Sequence, residues 1–187
     1  MLSRTADHVY WLGRYVERVE PVVRVARAIL PRLIQDTNLT ALAGVETGMR
    51  ILAGLGFLPE PDDTAPAGNH FGPLEREVLS LIYNREARNS LPANIHEIRR
   101  VGWLLRDRIS ADAWRVLNHL DGQLSSPPPA EPLRLSNAQA LLDQAVSTLS
   151  AFSGLVMESM TRGDGWHFLD IGRRLERALQ MLSLIHI

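Results

Sequence analysis

Two copies of one stretch decide the fold: HVYWLGRYVER at residues 8–18 and HFLDIGRRLER at residues 167–177. Five positions carry the same residue in both copies, at the constant offset of 159 residues that separates Gly13 from Gly172. The apolar positions between them recur three and four residues apart, which is the period of an amphipathic α-helix. The repeat therefore predicts two equivalent helices packed in one bundle.

Composition excludes several classes of protein. The chain has 187 residues, 45% hydrophobic and 22% charged, which is ordinary for one globular domain. The formal net charge of −1 provides no general attraction to nucleic acid or to an acidic membrane. The absence of cysteine excludes disulfides and thiolate metal sites, and the absence of lysine excludes a lysine Schiff base. Because neither a membrane-spanning run nor a signal peptide is evident, we expect a cytoplasmic protein without membrane contact.

The rest of the chain also reads as helix. No segment shows the alternation of a half-buried strand, so we predict an all-α bundle of six or seven helices. Pro21 should kink or break the first helix near Glu20, because proline lacks a backbone donor. Ser110 and Ser136 are expected N-caps. Loops are predicted at residues 59–72 and 125–133, and helices near residues 5–36, 40–55, 73–83, 92–109, 111–124, 136–160 and after Gly163-Asp164-Gly165.

The repeated motif, Gly-Arg-x-x-Glu-Arg, has a defined helical geometry. Gly13 and Glu17 are four residues apart and share one face, and Arg14 and Arg18 share the adjoining face. A glycine inside a helix costs about 1 kcal/mol relative to alanine. Its presence one turn before the glutamate leaves room for another backbone or for a ligand.

Two interpretations of the motif stay open. In the first, Glu17 pairs with Arg177 and Glu176 pairs with Arg18 across a local pseudo-two-fold axis, which makes a structural clasp. In the second, the arginines hold a carboxylate or phosphate and the glutamates orient them. The three-residue spacing from Arg14 to Glu17 also allows a pair within the helix. Both interpretations use the same residues: Arg14, Glu17, Arg18, Arg173, Glu176 and Arg177.

The motif does not have the residue pattern of a metal site or of a nucleophilic catalytic site. His8 and Glu17 are nine residues apart, so at about 100° per residue they point to opposite sides of the helix. The Glu-x-x-His spacing of di-iron bundles is missing from both copies. No nucleophile–base constellation is recognisable either. We therefore assign no catalytic residue, no metal and no cofactor.

A second group of arginines lies in the middle of the chain. It is either a solvated face or a docking surface for an acidic partner. The candidate docking residues are Arg85, Arg88, Arg99 and Arg106.

The chain resembles the alpha-E domain family, which is named for its helices and a Glu-Arg motif. The resemblance lies in the opening segment up to Arg18, in the central stretch from Asn89 through Arg106 to Asn118, and in Gly165-Trp166-His167-Phe168 leading into the second motif. Pro21 departs from the polar residue expected after Glu20. Members of the family run longer, so we expect residues 1–181 to be one domain that is incomplete at its C-terminus.

The resemblance implies partners rather than a reaction. Members occur beside, or fused to, circularly permuted ATP-grasp ligase-like proteins and transglutaminase-like proteins. This implies a non-catalytic accessory or interaction domain in a bacterial system that synthesises or modifies a peptide or amide bond. The alternative is a domain that binds an anionic ligand, or is catalytic, through the paired Glu-Arg motifs. The family has no assigned catalytic residue to carry over.

The last six residues have a separate explanation. Leu182–Ile187 is the in-frame translation of a transposase end sequence that is common in sequencing libraries. We expect these residues to derive from an adapter and exclude them from reasoning about fold.

Overall fold

The computed structural model describes residues 3–35, 39–60, 71–125 and 135–185, and within these ranges the chain forms seven α-helices and no strand. The predicted all-α class is confirmed. Most of the predicted loop at residues 59–72 and of the linker at 125–133 lies outside the described residues. The helices are α1 (Ser3–Gln35), α2 (Leu39–Gly54), α3 (Phe71–Tyr83), α4 (Leu91–Leu104), α5 (Ala111–Leu124), α6 (Leu135–Ser159) and α7 (Asp164–Leu184).

Helix α1 is the centre of the bundle, because it packs against α2, α4, α6 and α7. Its apolar stripe is fully buried, and each such side chain contributes about 1.5–3 kcal/mol relative to exposure. The stripe extends to Leu30, so it covers most of the length of the helix. Its predicted members are all in the core: Val9, Leu12, Val16, Val19, Val23 and Ala26.

Helix α1 runs without a break through Pro21, so the predicted interruption near Glu20 is wrong. A proline removes one backbone donor, but α1 continues because its apolar stripe is buried against other helices on both sides of Pro21. The carbonyl that loses its partner belongs to Glu17, and a side chain of α7 supplies the missing donor, as described below.

Local capping sets several helix ends. Gly56, with φ of 78°, adopts the left-handed conformation that favours glycine and ends α2. The amide of Phe57 then donates to the carbonyl of Leu52 at 2.9 Å, which returns the chain toward the core. The side chain of Ser90, which the sequence analysis overlooked as a cap, accepts from the amide of Ala93 at the start of α4.

One of the two predicted serine caps is confirmed, while the other cap and the predicted end of α4 are wrong. Ser110 caps α5 as predicted, and its hydroxyl accepts from the amide of Ala113 at 3.1 Å. Ser136 lies inside α6, which begins at Leu135, so its assignment as a cap is wrong. Helix α4 ends at Leu104 and not near Ile109, because the following residues form hydrogen-bonded turns.

Helix α6 is long and apolar enough, by length and composition alone, to cross a membrane, with a mean hydropathy of 1.3 over its best window. Its buried residues recur three and four apart and pack in the core with α1 and α5. Its outer positions include Asp143, which pairs with Arg27 of α1. This arrangement is typical of a core helix in a bundle.

Helices α1 and α7 cross at the two motif glycines. A Cβ atom on Gly13 would overlap the carbonyl oxygen of Leu169, and one on Gly172 would overlap the carbonyl oxygen of Tyr10. Each added carbon would also lie 3.3 Å from the backbone nitrogen of the arginine that follows the other glycine. These contacts are equivalent under the 159-residue offset, so the two helices meet about a local pseudo-two-fold axis at van der Waals distance between backbones.

Gly13→Ala should destabilise the protein by about 1–3 kcal/mol, because the new methyl group meets backbone that cannot move aside alone. Urea unfolding followed by circular dichroism measures the change in the free energy of unfolding. The matched control is Gly154→Ala in α6, where a Cβ meets nothing within 4 Å. This control should stabilise the protein slightly, by up to about 1 kcal/mol. Equal effects of the two substitutions would contradict the close crossing.

Candidate functional site: an arginine–glutamate clasp between α1 and α7

The six motif residues meet between α1 and α7, one turn beyond the glycine crossing. We call this group the clasp: Arg14, Glu17, Arg18, Arg173, Glu176 and Arg177. Its glutamates are only 5% and 4% exposed, although carboxylates are rarely buried without partners. The partners of each glutamate come from the opposite helix.

Glu176 of α7 accepts from two arginines of α1. Arg18 donates from Nε to Oε1 at 2.6 Å and from Nη2 to Oε2 at 3.2 Å. Arg14 donates from Nε to Oε2. Arg14 is thus bound to the glutamate of the other helix, in place of the within-helix pair that the three-residue spacing allowed.

Glu17 of α1 has the equivalent partners on α7. Arg177 donates from Nε to Oε1 at 2.6 Å, and Arg173 donates from Nε to Oε2 at 3.1 Å. The first, structural interpretation of the motif required cross-pairing of this kind. The same contacts are compatible with the second interpretation, in which these residues bind an anion.

The clasp keeps its arginines charged. Burial by itself lowers the pKa of Arg14, but hydrogen bonds to Tyr10 and Glu176 outweigh it and the net pKa is raised. For Arg177 the hydrogen bond to Glu17 is the main cause of a raised pKa, with further contributions from the charges of Glu20 and Asp170. Since the ordinary pKa of arginine is already far above neutrality, both stay cationic throughout the physiological range.

Gln180 replaces the backbone donor that Pro21 lacks. In an unbroken helix the amide of residue 21 would donate to the carbonyl of Glu17, but proline has no N–H. The side chain of Gln180 donates from Nε2 to that carbonyl at 3.3 Å and to the carbonyl of Arg18 at 3.4 Å. Pro21 and Gln180 occupy equivalent positions under the 159-residue offset, so one departure from the repeat compensates the other.

A cavity of about 330 Å³ opens beside one half of the clasp. Its charged wall is made by Arg14, Arg18 and Glu176. The end of α2 supplies apolar residues, and the start of α4 supplies Asn89 and Asn94. The remaining lining residues are Leu55, Gly56, Phe57, Leu179, Gln180 and Ser183.

Comparison with known proteins agrees with this architecture. Residues 1–187 match a family model named Alpha-E, described as a predicted alpha-helical domain with a conserved ER motif. The chain belongs to the Alpha-E family. The chain has the dipeptide Glu-Arg at residues 17–18, 75–76 and 176–177. The first and the last of these lie in the clasp.

Curated relatives of this Alpha-E chain are uncharacterized mycobacterial proteins. Two are from strains of Mycobacterium tuberculosis and one is from Mycobacterium bovis. Each is 28% identical over 199 residues, which is 97% of this chain and 22% of the relative. The chain therefore spans about a fifth of the length of these relatives. No solved structure matches it.

The four candidate docking arginines of the Alpha-E chain have different environments. Arg99 donates to Asn118 of α5 at 3.1 Å and also faces Asp121, so it joins α4 to α5. Arg106 lies over the ring of Trp103, 4.3 Å from its centroid. Arg85 and Arg88 are exposed in the connection between α3 and α4.

No group of three or more metal-ligating side chains is close enough to hold an ion among the residues that the structure describes. The clasp contains two carboxylates, but each is occupied by two arginines. The residues present thus fit ion pairing and anion binding, and do not fit a carboxylate-bridged metal pair.

Sequence reasoning missed Gln180, the polar residue that completes the site, and placed Asn94 with the central arginines and not beside the motif. The orphaned carbonyl of Glu17 was foreseeable from Pro21, but nothing local identifies its donor 163 residues away. Aligning the two motifs further would have placed Gln180 opposite Pro21, which is a signal that the repeat itself contains.

Glu17→Ala should destabilise the Alpha-E chain by about 3–5 kcal/mol, because it leaves Arg173 and Arg177 without the carboxylate that both contact. Chemical unfolding measures this cost. The control is Glu20→Ala on the same helix, which breaks an exposed pair with Arg24 and should cost below about 0.5 kcal/mol. Comparable losses in both variants would exclude the clasp as the main electrostatic joint.

Gln180→Met should cost about 1–3 kcal/mol, since methionine keeps the length of the side chain but leaves the carbonyl of Glu17 without a donor. A double-mutant cycle with Pro21→Ala tests the cause, because alanine restores the backbone N–H. In the Pro21→Ala background the cost of Gln180→Met should fall by at least about 1 kcal/mol. If Gln180→Met lowers the free energy of unfolding equally in both backgrounds, Gln180 does not compensate for the missing N–H of Pro21.

Proposed function

We propose that this chain is a non-catalytic accessory domain of a cytoplasmic, bacterial, ATP-grasp-linked system that synthesises or modifies a peptide or amide bond. The observation that carries the non-catalytic part is the clasp. Both motif glutamates are buried and each is held by two arginines, so the repeated motif builds a joint between α1 and α7. Every oxygen of the two carboxylates already accepts a hydrogen bond from an arginine of the opposite helix, so these groups are held in the joint.

The relatives support a role beside other domains. The matching region makes up 22% of each mycobacterial relative, so in those proteins a domain of this kind is one part of a much longer chain. The partners in the proposal, an ATP-grasp-type ligase and a transglutaminase-like protein, come from the family resemblance alone. Arg85 and Arg88, exposed and basic, are where we expect an acidic partner surface to contact the domain.

Co-purification with an ATP-grasp-type ligase from the same genome tests the proposal. We expect a stable complex and a change in ligase turnover when the domain is added. The charge reversals Arg85→Glu and Arg88→Glu together should weaken the complex by at least about tenfold. The matched control reverses Arg115 and Arg174, which are 76% and 77% exposed on α5 and α7, and should leave affinity within about twofold.

Two results would contradict this proposal. The absence of both a complex and an effect on turnover would remove the accessory role. Equal weakening by the two double variants would keep the partner but remove Arg85 and Arg88 as its docking site.

Binding of an anionic ligand is a second candidate function, and the charge of the clasp favours it. Each half of the clasp places two guanidinium groups on one carboxylate, which leaves one positive charge in excess. An excess of arginine over carboxylate next to a cavity is suited to a carboxylate or phosphate.

A further inference from the structure

The two halves of the clasp differ in their surroundings. Around Arg177, the carboxylates of Glu20 and Asp170 add negative charge to that of Glu17. Under the 159-residue offset these positions correspond to Leu179 and Trp11. The half formed by Arg14, Arg18 and Glu176 has apolar residues at these two positions. Glu20 and Asp170 are themselves paired with Arg24 and Arg174, so each half of the clasp keeps one positive charge in excess. The halves differ because only the half that contains Glu176 lies beside a cavity.

The cavity lies beside the half of the clasp that contains Arg14, Arg18 and Glu176. Leu179 lines it beside Arg18 and Glu176, and the apolar wall continues through Leu55 and Phe57. The pocket of about 330 Å³ is at the lower end of the volume range of small-ligand sites, and its lining is more polar than apolar. One half of the clasp thus has both an excess positive charge and a half-open pocket beside it.

Both arginines have donors to spare. Each guanidinium carries five N–H donors. Arg14 uses Nε for Glu176 and Nη1 for the hydroxyl of Tyr10, and Arg18 uses Nε and Nη2 for Glu176. The contacts within the described residues therefore use two of the five donors on each side chain. The others are available to an anion that replaces water in the cavity.

The amide side chains of the lining add acceptors. Asn94 donates from Nδ2 to the carbonyl of Ser90, and Gln180 donates from Nε2 to two carbonyls of α1. Their amide nitrogens are thereby fixed, which leaves Oδ1 of Asn94 and Oε1 of Gln180 as acceptors on the lining. A ligand that complements them carries an N–H donor close to its anionic group.

We infer that this cavity binds an α-carboxylate together with its neighbouring N–H group, as found at the end of a peptide or in a free amino acid. The carboxylate lies against the spare donors of Arg14 and Arg18. The N–H group faces the oxygens of Asn94 and Gln180, and a small apolar side chain contacts Leu55, Phe57 and Leu179. This inference rests on the second candidate function and specifies its ligand.

Charge selects carboxylate over phosphate. The half-clasp next to the cavity has one unit of excess positive charge, which one carboxylate neutralises. A phosphate monoester carries about −1.5 to −2 at neutral pH and would leave unbalanced negative charge in a partly buried site. The dianion of a phosphate monoester also carries no hydrogen-bond donor for the two amide oxygens.

Calorimetric titration of the full chain with N-acetyl-leucine tests the inference. N-acetyl-leucine amide is the matched probe, because it differs by loss of the negative charge. We expect the amide to bind at least about tenfold more weakly, since it cannot make charge-assisted hydrogen bonds with the arginines. Free leucine and inorganic phosphate complete the set of probes, and leucine binding as tightly as N-acetyl-leucine would identify free amino acids as the source of the carboxylate.

Leu179→Glu is the informative variant, because it reproduces on the cavity side the acid that Glu20 provides on the other side. It should weaken N-acetyl-leucine binding by at least about tenfold by neutralising the excess charge. Leu179 is 42% exposed, so the fold should tolerate the change, as thermal unfolding would verify. The control, Leu175→Glu, lies one turn earlier at 43% exposure, away from the cavity lining, and should change affinity by less than about twofold.

The outcomes separate the inference from the functions on which it rests. Phosphate binding more tightly than N-acetyl-leucine, with loss in Leu179→Glu, would overturn the carboxylate inference and keep an anion site. Absence of binding by every probe would overturn both. Equal binding of acid and amide, or equal losses in Leu175→Glu and Leu179→Glu, would also overturn the inference. Complex formation with the ATP-grasp protein is measured separately and does not depend on any of these results.

Discussion

Burial of two carboxylates at a helix crossing is the constraint on which the rest of this structure depends. A buried carboxylate is tolerated only when charge and hydrogen bonds compensate it, and here each glutamate receives two arginines from the opposite helix. The arginines reach across because Gly13 and Gly172 let the two backbones touch. Glycine, arginine and glutamate in the motif therefore act as one unit, and the glycine sets the separation that the ion pairs need.

The positions at which the two motif copies differ make the two halves of the clasp unequal. Pro21 and Gln180 are equivalent positions that compensate each other through one hydrogen bond, so a proline can persist inside the central helix. Glu20 and Leu179 are also equivalent, and Leu179 places an apolar side chain in the cavity lining where the other half has a carboxylate. A strictly symmetric clasp would have had two identical halves and no preferred side for a ligand.

The joint is tied to the rest of the bundle through α1. That helix buries a continuous stripe against α2, α4 and α6 while its motif face meets α7. The cavity accordingly combines residues from four helices or their ends, and movement of α7 relative to α1 would change its arginine wall.

Local periodicity in the sequence determined the all-α class, the approximate helix positions, the cap at Ser110 and the set of residues that form the clasp, because helix propensity and capping act within a few residues. The same local rules wrongly predicted a break at Pro21, a cap at Ser136 and an end of α4 near Ile109. Only the tertiary structure decided which arginine meets which glutamate, that Gln180 serves the carbonyl of Glu17, and that the cavity lies on one half of the clasp. Those contacts join residues about 160 positions apart, and their choice depends on how whole helices pack and not on the spacing within either one.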